Sequence, residues 1–320
     1  MKRMRRAFLL LGVVLCCCVG CGKNDSDSTA NLEKTEQKNP VEEGYHEKEI
    51  GYPDGQVFYC ENTEKQEPCV YMFDSSGNAG YRRYVYRQGT WEQESFDAVN
   101  KLLEKNNLKT LYSVHTLADG KVYGVGIDNK SDSVQSFKFY EFAKSQIKTG
   151  EDLTEKDGAV LYGYQLLENQ KIACFYDNRN VCIRNLHTGK TIKDFGYDFT
   201  SMTVIGQNLY AINEACNQIV IYDIDTAEVS EKYSVDITDQ GIVFAEDDAY
   251  NRYACTENGI FLLGDNGKIE QVMDGKNMST NAYTNSARLD FMCAKDGVFY
   301  VNYLIAGDNQ RKYRLCSYSK

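Results

Sequence analysis

The sequence predicts an all-β fold of about six four-stranded antiparallel units, and three observations carry that expectation. A Gly- or Asx-containing turn leading into a short apolar strand recurs six times: DGQVFYC (Asp54–Cys60), DGKVYGV (Asp119–Val125), NQKIACF (Asn169–Phe175), GQNLYAI (Gly206–Ile212), NRYACTE (Asn251–Glu257) and DGVFYVN (Asp296–Asn302). A second alternating segment follows each one, as in VCIRNLHTGKTI (Val181–Ile192), IVIYDIDTAEVS (Ile219–Ser230) and IFLLGDNGKIEQV (Ile260–Val272). One more short strand precedes most units, for example SMTVIG (Ser201–Gly206) and LDFMCAK (Leu289–Lys295). Alternating strands joined by Asx-rich turns make hairpins. Four such strands at a spacing of about 40 to 50 residues are the sequence form of a β-propeller blade. Five or seven blades, or an incompletely closed ring, fit the same spacing.

The chain starts differently. Lys2, Arg3, Arg5 and Arg6 precede an apolar run from Ala7 to Val19, too short to span a bilayer as a mature helix. Cys18-Val19-Gly20-Cys21 then resembles the lipobox of bacterial lipoproteins, with cysteine at 18 where that family has leucine. The resemblance implies a signal peptide over residues 1–20, cleavage between Gly20 and Cys21, and a lipid on Cys21. It places the protein on the extracytoplasmic face of a membrane, at the cell surface or in the periplasm. A diacylglycerol thioether with an N-acyl chain exceeds the two-signal threshold for stable anchoring. A secretion signal without lipid is the rival reading. A C-x-x-C metal or redox site would need a second ligand pair, and the nearest histidine is His46.

Residues 21–44 contain only Leu32 and Val41 as large aliphatics and read as a solvated tether. Residues 45–320 are long enough for one well-buried propeller domain. Four of the 36 basic residues and none of the 46 acidic ones precede Cys21, so processing takes the formal charge from −10 to −14. That balance argues against nucleic acid as a partner. Eight cysteines follow Cys21, most of them single residues within apolar strand patterns, where cysteine serves as a small hydrophobe. Cys60 and Cys69 flank a short loop and form a candidate disulfide across a hairpin. For Cys174 and Cys182, a turn at Asp177–Asn180 pairs Cys174 with Ile183 and sends the two thiols to opposite faces.

One helical pattern stands out, Ser95–Asn107, with Ser95 as its cap and Phe96, Val99 and Leu103 on one face. It reads as an insertion packed between the first two blades. Lys320 ends the chain as the third strand of a last blade. Tyr45–Ile50 is the segment available to supply the missing fourth strand and remove an exposed edge.

The units CIRNLHTGKTI and IVIYDIDTAEV resemble the third strand, turn and fourth strand of WD-type, YVTN-type and quinoprotein-type propellers, although no Trp-Asp dipeptide ends the strands. Gly89-Thr90-Trp91 resembles the end of the Asp-box turn of sialidase-like propellers, where the box is structural. Trp91 is accordingly expected to plug a blade.

Catalytic or metal chemistry has little foothold. His46, His115 and His187 share no spacing, and only His115 falls on an expected inner strand facing a central channel. Glu246, Asp247 and Asp248 follow another inner strand and are the candidate for a structural cation at the channel mouth, although they lack a calcium-loop pattern. Arg252 and Arg288 are the scattered arginines that a glycan-active site would have to gather. No catalytic residue and no cofactor is expected. The leading expectation is a binding scaffold for an envelope protein or ligand, and the alternative is a glycan-binding or sialidase-like hydrolytic propeller.

Overall fold

A computed structural model describes residues 44–63, 65–74, 80–108, 111–131, 134–153, 158–213, 215–235, 241–278, 287–307 and 310–320. Residues 1–43, including Gly20 and Cys21, lie outside that set. The described residues form six four-stranded antiparallel sheets arranged as a β-propeller. Strand β1 (His46–Ile50) is followed by blade 1, made of β2 (Gln56–Asn62), β3 (Pro68–Asp74), β4 (Gly80–Arg87) and β5 (Thr90–Glu94). Helix α1 (Asp97–Lys105) leads to blade 2, with β6 (Ser113–Thr116), β7 (Val122–Ser131), β8 (Val134–Ala143) and β9 (Gln146–Thr149). Blade 3 holds β10 (Leu161–Leu167), β11 (Lys171–Tyr176), β12 (Val181–Asn185) and β13 (Thr191–Gly196). Blade 4 holds β14 (Phe199–Ile205), β15 (Asn208–Asn213), β16 (Gln218–Asp223) and β17 (Val229–Ser234). Blade 5 holds β18 (Val243–Glu246), β19 (Arg252–Thr256), β20 (Gly259–Leu263) and β21 (Ile269–Asp274). Blade 6 takes β22 (Ala287–Lys295), β23 (Val298–Gly307), β24 (Gln310–Ser319) and, as its rim strand, β1.

The expected closure is therefore present. His46 pairs with Ser319 and Ile50 with Leu315. The sequence HEKEI has modest strand propensity, and specific partners hold it in place. Tyr318 donates its hydroxyl to Glu47 at 2.9 Å, and Arg314 lies 3.0 Å from Glu49 and 3.6 Å from Glu47. Ile50 is the one buried residue of the strand.

The sequence repeat was out of phase in its first copy. Five of the six motifs fall on or open the second strand of a blade, whereas DGQVFYC runs into β2, the first strand of blade 1. The second strand there is β3, which follows the Thr63–Glu67 turn instead of an Asx-Gly pair.

Turn chemistry explains the later repeats. Asn185 Oδ1 accepts from the amides of His187 and Thr188, and Asp223 Oδ1 accepts in the same way from Asp225 and Thr226. These Asx turns join third to fourth strands.

Helix α1 packs between blades 1 and 2, with Val99, Leu102 and Leu103 against Tyr71, Tyr81 and Phe142. Ser95 is not its cap. The N-cap is Phe96, which makes no side-chain cap bond. Asn100 completes the docking by copying a backbone partner: its Oδ1 accepts from Tyr81 N and its Nδ2 donates to Tyr81 O.

Two cysteine expectations are overturned by register. Cys60 lies opposite Val70 and Cys69 opposite Glu61, so the pair is offset by one residue and its thiols enter different interblade layers. All eight cysteines among the described residues are free thiols in the structure. Cys174, by contrast, lies directly opposite Cys182, because the hairpin pairs Phe175 with Val181. Their side chains share one face.

Six apolar layers separate the blades. Among the described residues, the seam between blades 6 and 1 has the fewest buried apolar side chains: Cys60, Val70 and Met72. Polar ties supplement it: Tyr52 OH donates to Asn302 Oδ1 at 2.5 Å, Lys295 Nζ to Glu67 at 2.8 Å, and Trp91 Nε1 to Gly51 O at 2.7 Å. Trp91 also stacks on Tyr52 at 5.6 Å and so fastens a blade, as its sequence context suggested.

Candidate functional site

Propeller chemistry concentrates on the first strands, which surround the axis. In β6, Ser113 and His115 are two residues apart and project to one face, while Val114 enters the apolar layer on the other. From β2 of blade 1, Glu61 reaches the same place, and from β10 of blade 3, so does Tyr164. The result is a continuous polar row. Glu61 Oε2 is 2.8 Å from His115 Nδ1, His115 Nε2 is 2.8 Å from Ser113 Oγ, and Ser113 Oγ is 2.8 Å from Tyr164 OH. Glu61 Oε1 accepts from Tyr71 OH at 2.8 Å, and Tyr71 OH lies 3.0 Å from Thr116 Oγ1.

Aromatic edges enclose the imidazole. The Tyr59 ring meets His115 edge-on at 5.0 Å and the Tyr164 ring does so at 6.0 Å. Burial first, and then the Glu61 carboxylate, push the Tyr71 and Tyr59 phenols well above their ordinary value. Both hydroxyls therefore keep their protons, and Tyr71 donates its own to Glu61.

Carboxylate, imidazole and hydroxyl in series have the connectivity of a nucleophilic triad. A nucleophile also needs an open approach to its oxygen. Ser113 is 0 % exposed, and its hydroxyl is already bonded to Tyr164. The row thus orients His115, joins three blades, and presents the half-buried edges of Tyr59, Glu61 and His115 as a preorganised surface. Of its members, sequence reasoning singled out only His115. Glu61, Ser113, Tyr71 and Tyr164 were missed, although three of them are polar residues on first strands, which is the signal that could have found them.

A second polar group joins blades 6 and 1. Asn302, fully buried, accepts from Tyr52 and donates to Asp290 Oδ2 at 2.9 Å. Asp290 occupies a β-bulge between Leu289 and Phe291, and equivalent bulges lie at Phe58, Tyr162 and Thr200 on the first strands of blades 1, 3 and 4. A bulge re-aims one side chain out of the alternating pattern.

The other sequence candidates do not converge. Glu246 accepts from Tyr210 OH at 2.7 Å and Asn208 Nδ2 at 3.1 Å, and lies 3.9 Å from Arg252 Nε. Asp247 turns away to cap its own loop, accepting from the amides of Ala249 and Asn251 and from Tyr253 OH. Its burial opposes ionisation, but the Asn251 and Tyr253 bonds outweigh that and hold its pKa below the usual value. Asp248 is exposed. Among the described residues no group of three or more His, Cys, Asp or Glu side chains is placed to hold a metal ion. Arg288 is exposed at the start of β22, away from the Arg252–Glu246 pair. His187 bonds Glu141 of blade 2 through Nε2 at 2.6 Å, and His46 lies exposed on β1.

No protein-family model matches the chain, and no curated protein sequence does. One similar solved structure is the WD40 β-propeller domain of Doa1, at 11 % identity and a TM-score of 0.48, covering 87 % of this chain and 98 % of that one. The architecture is a six-bladed β-propeller of four-stranded antiparallel sheets.

Proposed function

We propose that this chain is an extracytoplasmic binding module, a rigid propeller carried on a lipid at Cys21 that docks an envelope protein or ligand through its loops. The observation that carries the reading is the place where the disc meets its N-terminal segment. Strand β1 enters blade 6 at His46, opposite Ser319, so the chain joins the disc on the face of the first-to-second and third-to-fourth strand turns. The opposite face holds the blade-to-blade links, α1 and the second-to-third strand turns. Held by a lipid, the disc offers that second face outward. A solvated tether of the length of residues 22–44 would have a root-mean-square reach of ~27 Å, enough to sample partners near the membrane.

The polar row from Glu61 to Tyr164 supports binding over turnover, since its groups are already satisfied and its hydroxyl is covered. The glycan-hydrolase alternative needs arginines and carboxylates gathered at the axis, and Arg252 and Arg288 stand apart.

The test is cross-linking of intact cells that express the full chain, beside a Cys21→Ala control, with palmitate labelling of both. Labelling of the native chain alone, with one discrete envelope protein recovered, is the expected result. A control chain that still carries lipid sinks the anchor. Native chain that is lipid-labelled but recovers no protein sends the question to glycan arrays.

A further inference from the structure

The structure holds two cysteines placed for a bond that their sequence spacing argued against. Cys174 on β11 and Cys182 on β12 are direct cross-strand partners, flanked in register by Ala173–Ile183 and Phe175–Val181. Both side chains enter the layer between blades 2 and 3, beside Tyr123, Val125 and Leu186. In the structure both are free thiols, and Cys174 Sγ donates to Ile172 O at 3.8 Å. Directly opposite residues of an antiparallel pair have Cα atoms about 4.5 or 5.5 Å apart. Both distances fall within the roughly 4.4–6.8 Å that a disulfide spans. None of the other six described cysteines lies opposite a cysteine: Cys60 faces Val70, Cys255 faces Ile260, Cys293 faces Tyr300 and Cys316 faces Val301, for example.

We propose that Cys174 and Cys182 are joined by a cross-strand disulfide when the chain folds in an oxidising compartment. The step is a thiol–disulfide exchange. Each cysteine gives up its hydrogen, one S–S bond forms between them, and the disulfide of an oxidant, such as glutathione disulfide or a dithiol oxidoreductase, is reduced to two thiols. The timing follows from burial. Cys174 is 0 % and Cys182 1 % exposed, so no oxidant reaches either sulfur once blade 2 covers blade 3. The bond forms while the blade 3 hairpin is open, and the closed ring then shields it from reductants. Its presence in cells rests on the extracytoplasmic reading above, but the pairing itself does not.

Two preparations of the full chain separate these points. In one, chain that has been reduced and unfolded in urea is refolded in a glutathione disulfide buffer. In the other, chain is taken directly from cells into acid. Both are then unfolded, alkylated and mapped by mass spectrometry. The expected result is a linked Cys174–Cys182 peptide and two fewer alkylated cysteines in both samples, with the link surviving dithiothreitol until urea is added. Cys182→Ala should leave Cys174 alkylated, whereas Cys69→Ala should leave the link intact. Refolded chain with both Cys174 and Cys182 alkylated overturns the proposal. A link in the refolded chain but not in the cellular chain upholds the pairing and overturns the oxidising location.

Discussion

Glu61 is the residue whose removal tests the axial row most directly. Its carboxylate takes two bonds, from His115 Nδ1 and Tyr71 OH, each at 2.8 Å, in a setting where its side chain is 16 % and that of His115 12 % exposed. A hydrogen bond to a charged group is worth about 1.5–3 kcal/mol, and a stranded buried donor costs about 1–3 kcal/mol. Glu61→Ala deletes both bonds and strands the His115 N–H, while the Tyr71 hydroxyl still has Thr116 within reach. The expected loss is about 3–4 kcal/mol. Glu61→Gln keeps one acceptor oxygen and should lose about 2 kcal/mol. Tyr71→Phe should lose ~1 kcal/mol, since Glu61 keeps its imidazole partner. For a domain of this size about 2–4 °C of melting temperature corresponds to each kcal/mol, so Glu61→Ala should melt roughly 6–16 °C below wild type in calorimetry. A double-mutant cycle of Glu61→Gln with His115→Asn should return a coupling of about 1–2 kcal/mol. If Glu61→Ala melts with the wild type, or the cycle gives no coupling, the row is not a structural tie between blades.

Three further outcomes follow from other seams. Ile50→Ala removes the one buried side chain of the closing strand and should cost about 2–3 kcal/mol in urea unfolding, with hydrogen exchange accelerating first in β24; uniform acceleration across all blades would refute closure by β1. The Glu67 carboxylate is opposed by burial, but bonds from Lys295 and Arg87 outweigh that and hold its folded pKa below 4.5. Its contribution to stability is therefore complete above the unfolded carboxylate value of about 4.3 and is lost as pH falls through the lower folded value. The melting difference between wild type and Glu67→Gln should be constant from pH 7 to pH 5 and shrink below it, and parallel profiles down to pH 3 would contradict the sign. Ala227 sits at φ +62° in the blade 4 turn, where the matching turn of blade 3 has Gly189 at φ +63°. Ala227→Gly should stabilise by about 0.5–1 kcal/mol in the same denaturation assay, and a loss of stability would show that the turn is not strained.

The parts of this fold legible in sequence are those encoded by neighbours along the chain. Asp223 and Asn185 announce their turns because the amides they cap lie two and three residues ahead. The closing role of Tyr45–Ile50 was legible by counting strands. Register was less accessible, because moving one residue of a turn flips every side chain beyond it. That is why spacing alone sends Cys174 and Cys182 to opposite faces and Cys60 and Cys69 to a shared one, the reverse of the observed register. The axial row was the least legible part. Glu61 and His115 stand 54 positions apart in sequence and 2.8 Å apart in space, and Tyr164 is 51 positions from Ser113. Only the ring brings first strands of successive blades together.

The distribution of polar ties along the ring has a physical logic. Where the interblade layer is deep, as between blades 3 and 4, eleven buried apolar residues hold the seam and Gln165 adds one backbone-like bridge to Val204. Where it is thin, between blades 6 and 1, directional bonds replace area: Tyr52–Asn302–Asp290, Lys295–Glu67 and Trp91–Gly51. Apolar area resists separation without specifying alignment, whereas a buried bond with one acceptor fixes it. The seam between blades 6 and 1 joins residues as far apart in the chain as Glu67 and Lys295, 228 positions, and so carries a large loop-closure entropy. Bonds that strongly penalise misalignment are therefore most useful there. A separate polar row through Glu61 and His115 ties blades 1, 2 and 3, so directional bonds fix the ring from blade 6 through blade 3. A binding surface gains from such rigidity, because less freedom is lost when a partner docks.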